Sequence, residues 1–239
     1  MSFFLLCVFL FSLGILPSFL WLLFYLRKDV HPEPKELILK VFLWGMASAL
    51  PALFLEKIAK IPEKILIENN LLLLASIFHY FLGVALIEEF LKYLVVKNQI
   101  QSHPEFDEPT DAMIYMICAG LGFAASENIL RFVAAFFEDI QTFFAIWFIR
   151  FFTATFLHAL CAGVVGYFLA LSFFRSKKQI KPLIFGLTIA ILLHGFYDFS
   201  IIKIKENPIF LIFPFLILGY LAILVSNFFQ KLKRSMKIS

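Results

Sequence analysis

The chain has 239 residues, of which 62% are hydrophobic and only 16% are charged, and its mean hydropathy is +0.90. This balance lies outside the range of soluble globular domains and predicts an integral membrane protein. The formal net charge of +4 is modest, and the basic residues stand between apolar runs. Composition and charge pattern therefore exclude nucleic acid as a partner and predict a lipid bilayer as the surroundings.

Apolar segments long enough to cross about 30 Å of hydrocarbon as helices recur along the chain. They lie near residues 3–26, 37–57, 71–97, 111–137, 142–174, 181–202 and 208–230. The first segment lacks a basic n-region and a clear cleavage site, so we expect it to be retained as a helix. We predict an all-α, polytopic membrane bundle of about seven transmembrane helices that forms a single domain over residues 1–239.

The connections between these segments predict the topology. Lysine and arginine concentrate in alternate connections and in the tail, at Arg27, Lys28, Lys35, Lys97, Arg175, Lys177, Lys178, Lys181, Lys231, Lys233, Arg234 and Lys237. Cytoplasmic loops are enriched in these residues. The pattern therefore predicts that the N-terminus lies outside and the C-terminus lies in the cytoplasm.

Several apolar segments also carry polar side chains that have no favourable place in lipid. These are Glu88, Glu89 and Lys92 in the third segment, Glu127, Asn128 and Arg131 in the fourth, His158 in the fifth, and His194 and Asp198 in the sixth. A charged group near the bilayer centre costs about 2.5 to 3.5 kcal/mol, so such groups normally face the bundle interior and carry function. Counting along each helix brings them to a similar depth, which predicts one buried polar site.

Helical spacing predicts pairs within this site, because residues three or four apart share a face. Lys92 follows the two glutamates by four and three residues, so it can neutralise one and leave the other free. Arg131 follows Glu127 by four residues. Asp198 follows His194 by four and could hold its imidazole in one tautomer.

Other polar and thiol groups are interpreted as structural. His79 falls on the opposite helix face from Glu88, and Thr110 or Asp111 is expected to cap the fourth helix. Glu127 and Asn128 could also serve only to cross-link helices, and His158 could be a packing residue. The three cysteines, Cys7, Cys118 and Cys161, are expected to be free thiols.

An ordered set of motifs resembles the PrsW family of intramembrane proteases. The motifs are E-E-F-L-K at 88–92, D-E-P-T-D-A-M-I-Y at 107–115, G-L-G-F-A-A-S-E-N-I-L at 120–130, H-A-L at 158–160 and L-H-G-F-Y-D-F at 193–199. The family is distantly related to the CAAX-processing and bacteriocin-immunity proteases and to the Aph-1 subunit of gamma-secretase. The resemblance covers roughly Gly83 to Phe199, which is the expected protease-like core.

The resemblance implies a multi-pass protein of the bacterial cytoplasmic membrane that hydrolyses a peptide bond in a membrane-anchored protein, such as an anti-sigma factor, in regulated proteolysis. It implies that the catalytic residues are Glu88, Glu89, Glu127, His158 and His194. Lys92, Asn128, Arg131 and Asp198 would support them.

Two mechanisms fit these side chains. In one, a divalent metal such as Zn²⁺ is held by His158, His194 and Glu127, while Glu88 or Glu89 activates water. In the other, no metal is bound, a glutamate activates water directly and a histidine stabilises the oxyanion. An ion- or proton-coupled transporter and a non-catalytic, Aph-1-like scaffold are the alternative functions, since either would also place polar groups at the midplane.

Overall fold

The computed structural model describes residues 3–29, 31–174 and 179–236. Within these ranges every regular element is helical, and seven helical spans are long and apolar enough to cross a membrane. The predicted all-α bundle and its number of spans are confirmed. The orientation of the termini stays a prediction, and four residues used for it, Arg175, Lys177, Lys178 and Lys237, lie outside the described ranges.

The helices follow one another along the chain with short connections. They are α1 (Phe3–Leu26), α2 (Lys35–Glu68), α3 (Leu72–Ile77), a π-helix (Phe78–Ala85), α4 (Leu86–Gln99), α5 (Pro109–Glu138), α6 (Ile140–Phe152), α7 (Ala154–Phe173), α8 (Ile180–Lys203), a 3-10 helix (Pro208–Leu211) and α9 (Ile212–Met236). The third span comprises α3, the π-helix and α4, and the fifth comprises α6 and α7.

Helices α5 and α7 form the centre of the bundle. The apolar windows of their two spans are 78% and 72% buried, against 28 to 39% for the other five. Small residues on both helices permit this packing. A Cβ atom on Gly120 of α5 would lie 2.9 Å from the backbone oxygen of His158 on α7. The two central helices therefore meet at the level of a predicted site residue.

Two spans differ locally from the sequence-based expectation. Helix α2 continues to Glu68 instead of ending near residue 57, with Pro51 and Pro62 inside it. The fifth span is interrupted at Thr153, whose backbone (φ −118°, ψ −87°) is not helical. Each difference changes which side chains of a span can face the polar site.

The N-cap of the fourth span lies two to three residues before the predicted caps, Thr110 or Asp111. Glu108 is the N-cap, and the Asp111 carboxylate accepts hydrogen bonds from the backbone N–H groups of Glu108 (2.6 Å) and Asp107 (3.1 Å). Pro109 at the first helical position has no N–H to satisfy, which favours a start there. Asp111 thus contributes to the cap from the third position of the helix.

The free state of the three cysteines is confirmed. Cys118 and Cys161 are buried, Cys7 is exposed, and none forms a disulfide bond within the described ranges. The Cys118 thiol donates to the backbone oxygen of Ile38 on α2 (3.1 Å). The buried surroundings of Cys118 and Cys161 are those of packing residues.

Candidate active site

The glutamate pair begins a regular helix directly after a π-helical stretch. The π-helix Phe78–Ala85 leads into α4, so Glu88 and Glu89 lie in the first turn of α4. Stretches of π-helix are rare and frequently occur at functional sites. Glu88 is only 4% exposed, and both Glu89 and Lys92 are fully buried. The chain therefore commits two carboxylates and one ammonium group to the interior of the bundle.

Lys92 bridges the two glutamates and reaches the fifth span. Its Nζ atom donates to Glu89 Oε1 (2.8 Å), Glu88 Oε2 (3.1 Å) and His158 Nδ1 (2.8 Å). It also lies 4.5 Å from the centre of the Phe123 ring, a cation–π contact. We expected Lys92 to neutralise one carboxylate and leave the other free. The correction is that it binds both, because its stem reaches the positions one turn earlier on the same face.

His158 is held through both of its ring nitrogens. Its Nε2 lies 2.7 Å from Glu127 Oε2 on α5, while its Nδ1 accepts from Lys92. Because the lysine can only donate, the proton of a neutral imidazole is on Nε2 and is donated to Glu127. His158 Nδ1 also lies 3.8 Å from Glu88 Oε2. The ring therefore presents an electron pair toward the glutamate pair.

His194 on α8 has the complementary arrangement. Its Nδ1 lies 2.8 Å from Glu89 Oε1, and its Nε2 lies 3.8 Å from Glu88 Oε2 and 3.4 Å from Asp198 Oδ2. With Nδ1 donating to Glu89, the second nitrogen, Nε2, faces the carboxylates of Glu88 and Asp198, and it can pair with them when it carries a proton or bind a metal when it does not. The expected pairing of Asp198 with His194 is present. Two imidazoles thus flank one carboxylate oxygen, each backed by a second carboxylate.

The carboxylate of Glu127 is paired with an arginine that the sequence reasoning missed. Arg150 on α6 places a terminal nitrogen 3.4 Å from Glu127 Oε2, and its Nε donates to Asn128 Oδ1 (2.7 Å). The Asn128 amide in turn donates to Thr155 Oγ1 (2.9 Å). Arg131, four residues after Glu127, is exposed and makes no ion pair with it. The signal available in the sequence was an arginine inside an apolar segment, at Arg150.

A cavity of about 580 Å³ leads to these groups. Its inner part is lined by Glu88, Glu127, His158, His194 and Asp198, and further polar residues along its walls are Glu56, Lys60, His79, Arg131 and Arg150. The cavity runs toward the end of the bundle where α2 ends and α3 begins. His79, which we expected to be structural, lines this outer part and pairs with Glu63 on α2 (2.9 Å). Glu89 does not line the cavity, since it lies behind His194.

Four of the predicted residues could hold a metal ion. One ligand atom from each of Glu88, Glu89, His158 and His194 lies within 4.8 Å of the other three. Oxygen and nitrogen donors in this combination suit zinc. The second oxygen of Glu89, Oε2, is buried and has no hydrogen-bond partner, so a cation would satisfy it. The chemistry of the donor set fits a divalent metal.

Glu127 occupies a different place from that predicted for a metal ligand. It lies outside this group of four and contacts the nitrogen of His158 that points away from the glutamate pair. A carboxylate in that position orients an imidazole and increases its basicity, as outer carboxylates do at metal centres. The physical reason for the difference is that the ring separates its two nitrogens, so only one side of it can face Glu88.

Carboxylates and imidazoles lie together at the inner end of a polar cavity inside a membrane-spanning bundle, an arrangement that suits a membrane-embedded hydrolase. The family model for PrsW family intramembrane metalloproteases matches residues 33–226. The chain therefore belongs to the PrsW family of intramembrane proteases. The match extends well beyond Gly83 to Phe199 and includes α2 and the first half of α9.

Similar proteins from several bacteria match most of this chain. It is 31% identical over 199 residues to "Protease PrsW" of Geobacillus kaustophilus, covering 83% of this chain and 81% of that protein. It is 30% identical over 208 residues to the protein of the same name from Bacillus subtilis, with 86% and 88% covered. The corresponding values for Oceanobacillus iheyensis are 32% over 208 residues, with 87% and 89% covered. No solved structure matches the chain.

These findings confirm that the chain is a peptidase and a multi-pass protein of the cell membrane. Peptide hydrolysis was the function predicted from the sequence, with a transporter and a scaffold as the alternatives.

Proposed function

We propose that this protein is an endopeptidase that cleaves a membrane-anchored protein, with anti-sigma factors as the substrate class, and that Glu88 is its general base. One observation supports this most directly. Glu88 Oε2 faces the cavity and lies 3.8 Å from both His158 Nδ1 and His194 Nε2. Water and a peptide carbonyl entering the cavity would meet the carboxylate and both imidazoles together.

Glu88 is favoured over Glu89 as the base because of its position. Glu88 lines the cavity, whereas Glu89 is fully buried and its Oε1 accepts from both Lys92 and His194. In the proposed reaction Glu88 Oε2 takes a proton from the attacking water and passes it to the leaving amine. Lys92, 3.1 Å from the same oxygen, stabilises the carboxylate before it takes the proton and again after it has passed the proton on.

His158, His194 and Glu89 are the residues that would hold a divalent metal. The close approach of their ligand atoms, within 4.8 Å of one another, and the unpartnered Glu89 Oε2 support this assignment. A metal bound there would polarise the scissile carbonyl and lower the pKa of its bound water. Lys92 donates to the same His158 nitrogen that a metal would take, so the ammonium group would have to shift aside.

Glu127 and Arg150 are proposed as positioning residues. Glu127 fixes the His158 tautomer, and Arg150 holds Glu127 and Asn128 in place from α6. With the predicted topology, the end of the bundle toward which the cavity runs faces outside. The cleaved bond would then lie on the extracellular side of the substrate's transmembrane segment.

The test compares purified wild-type protein with single variants on single-span anti-sigma factors in lipid nanodiscs. The variants are Glu88→Gln, Glu89→Gln, His158→Ala and His194→Ala, and the matched control is His79→Ala, which removes a cavity histidine outside the cluster. We expect the four site variants to lose cleavage while His79→Ala retains it. Cleavage by Glu88→Gln at the wild-type rate would contradict the assignment of the base.

Metal content is measured in the same preparations. We expect bound zinc in the wild type and in His79→Ala, and its loss in His158→Ala and His194→Ala. We also expect a chelator to abolish cleavage and added Zn²⁺ to restore it. An active wild-type enzyme that contains no metal and resists chelation would instead support direct activation of water by Glu88.

A further inference from the structure

The walls of the cavity are closed by specific contacts at most of the seams between helices. Between α2 and α5, Ser126 Oγ donates to the Met46 backbone oxygen (2.9 Å). Between α2 and the π-helix, His79 pairs with Glu63. Between the π-helix and α8, a Cβ atom on Gly195 would lie only 2.8 Å from the Phe81 ring. These contacts tie the helices together at each of the three seams.

The seam between α5 and α6 is closed as well. Arg150 on α6 is bonded to Asn128 on α5, and Phe143 on α6 packs edge-on against Phe132 on α5 at 5.9 Å between ring centres. Helix α6 is further tied to α1, because the Trp147 indole donates to the Leu13 backbone oxygen (3.0 Å). All of these contacts hold α6 on the side of the bundle formed by α1 and α5.

The remaining seam, between α6 and α8, has fewer contacts. Both helices line the cavity, but in the described ranges no hydrogen bond, ion pair or ring contact joins a residue of α6 to a residue of α8, and their buried residues belong to separate apolar clusters. The two helices are linked only at the inner end of the seam, where the Tyr197 side chain on α8 hydrogen-bonds to Thr153, the residue that ends α6. Helix α8 packs instead on α7, the π-helix and α9. The outer part of this seam, beyond Thr153, is therefore the least closed side of the cavity.

The side chains at the edges of this seam are apolar, whereas those just inside it are polar. Ile149 on α6 is 57% exposed and Ile202 on α8 is 49% exposed, and both line the cavity. Just inside lie the polar groups of Arg150, Thr153 and Asp198. Lipid chains cannot satisfy such groups, whereas the N–H and C=O groups of an unwound peptide can.

We propose that the seam between α6 and α8 is the portal through which one transmembrane segment of the substrate passes laterally from the bilayer to Glu88. This inference rests on the proposed function, and it specifies how the substrate is recognised. The two isoleucine edges contact the apolar part of the segment. The polar interior then receives the portion that unwinds for cleavage. Selection for membrane-anchored proteins follows from the side from which the cavity is entered.

The test places bulk in the portal and uses two probes. The variants are Ile149→Trp and Ile202→Trp, and the control is Ile184→Trp, which adds the same bulk to an exposed position of α8 (54%) away from the cavity. One probe is a single-span anti-sigma factor in nanodiscs, and the other is a soluble peptide containing its cleaved bond. The peptide can enter at the end of the bundle, where Lys60 and His79 line the cavity.

We expect the portal variants to cleave the anchored probe about ten- to a hundredfold more slowly, the penalty for a misplaced substrate. They should cleave the peptide at the wild-type rate, which also shows that they are folded. The control variant should cleave both probes normally. Equal slowing with both probes, or normal cleavage of the anchored probe, would overturn the portal. A wild-type protein that cleaves neither probe would contradict the proposed function itself and with it the portal.

A reversible cross-link gives a second measurement. Cysteines replace Ile149 and Ile202 in a Cys7→Ser background, which leaves only the two buried native thiols. A disulfide-forming bifunctional reagent should abolish cleavage of the anchored probe, and reductant should restore it. Cleavage that persists after complete cross-linking would overturn the proposal.

Discussion

Glu127 and His158 meet on the side of the imidazole that faces away from the glutamate pair. The 2.7 Å contact joins Glu127 Oε2 to His158 Nε2, so the opposite nitrogen is left to face Glu88 and Lys92. A carboxylate there increases the basicity of the ring without touching the substrate. Glu127 therefore acts through His158, and its role can be tested separately from those of Glu88, Glu89 and His194.

We expect Glu127→Gln to reduce kcat about ten- to a hundredfold, the usual effect of removing an outer carboxylate at such a site. The amide oxygen still accepts from Nε2, so the fold should be retained, but the negative charge is lost. Steady-state kinetics on the anchored substrate measure the effect. Glu63→Gln is the control, since it alters the carboxylate bound to His79, and it should leave kcat unchanged. Wild-type kcat in Glu127→Gln would remove Glu127 from the mechanism.

Arg150 is expected to matter more than Arg131, although both line the cavity. Arg150→Gln leaves Glu127 without its cation and Asn128 with one partner fewer, so His158 is less firmly held. We expect a loss of about tenfold or more in kcat, and an intermediate value for Arg150→Lys, which lacks the planar fork. Arg131→Gln is the matched control and should behave as the wild type. A larger loss of kcat in Arg131→Gln than in Arg150→Gln would contradict this expectation and support Arg131 as the partner of Glu127, as helical spacing predicted.

Lys92 is expected to be essential for stability as well as activity. Lys92→Met fills a similar volume but removes the cation that Glu88 and Glu89 share, and breaking a buried ion pair in this way typically destabilises by about 3 to 5 kcal/mol. Thermal denaturation in detergent should show a clear loss. Combining Lys92→Met with Glu88→Gln should recover part of it, since only one carboxylate then lacks a partner. A double variant no more stable than Lys92→Met would indicate that the ammonium acts mainly through His158.

The bundle and most of the site could be predicted because membrane burial makes charge informative. Apolar length alone determined the seven spans, and each of Glu88, Glu89, His158 and His194 was recognisable as a polar group with no place in lipid. The structure brings all four together. The sequence could also give the relation of Asp198 to His194, because it depends only on the pitch of one helix.

Contacts between different helices were harder to predict from the sequence. The choice of Arg150 over Arg131 depends on how α6 is rotated against α5 and on the break at Thr153, and neither leaves a pattern in hydropathy. The extension of α2 to Glu68 was missed because polar residues in its second half suggested a loop, whereas some of them line the cavity. Single-helix spacing fixes distances along one face, but it does not show which face meets which neighbour.

Among the glycines of the bundle, Gly122 approaches a neighbouring helix most closely, and it gives a stability prediction with an internal control. A Cβ atom on Gly122 of α5 would lie 2.1 Å from the backbone oxygen of Phe42 on α2, while nothing lies within 4 Å of the same position on Gly219 of α9. Backbone cannot rotate away as a side chain can, so Gly122→Ala must push α2 from α5.

We expect Gly122→Ala to destabilise the protein by about 1 to 3 kcal/mol, the usual range for overpacking. Gly219→Ala should be neutral or slightly stabilising, because alanine is the better helix former. Thermal denaturation of both variants in the same detergent makes the comparison. Because α2 also carries Glu56 and Lys60 of the cavity wall, Gly122→Ala should lower activity along with stability. Equal stability of the two variants would mean that α2 and α5 are less closely packed than the structure shows.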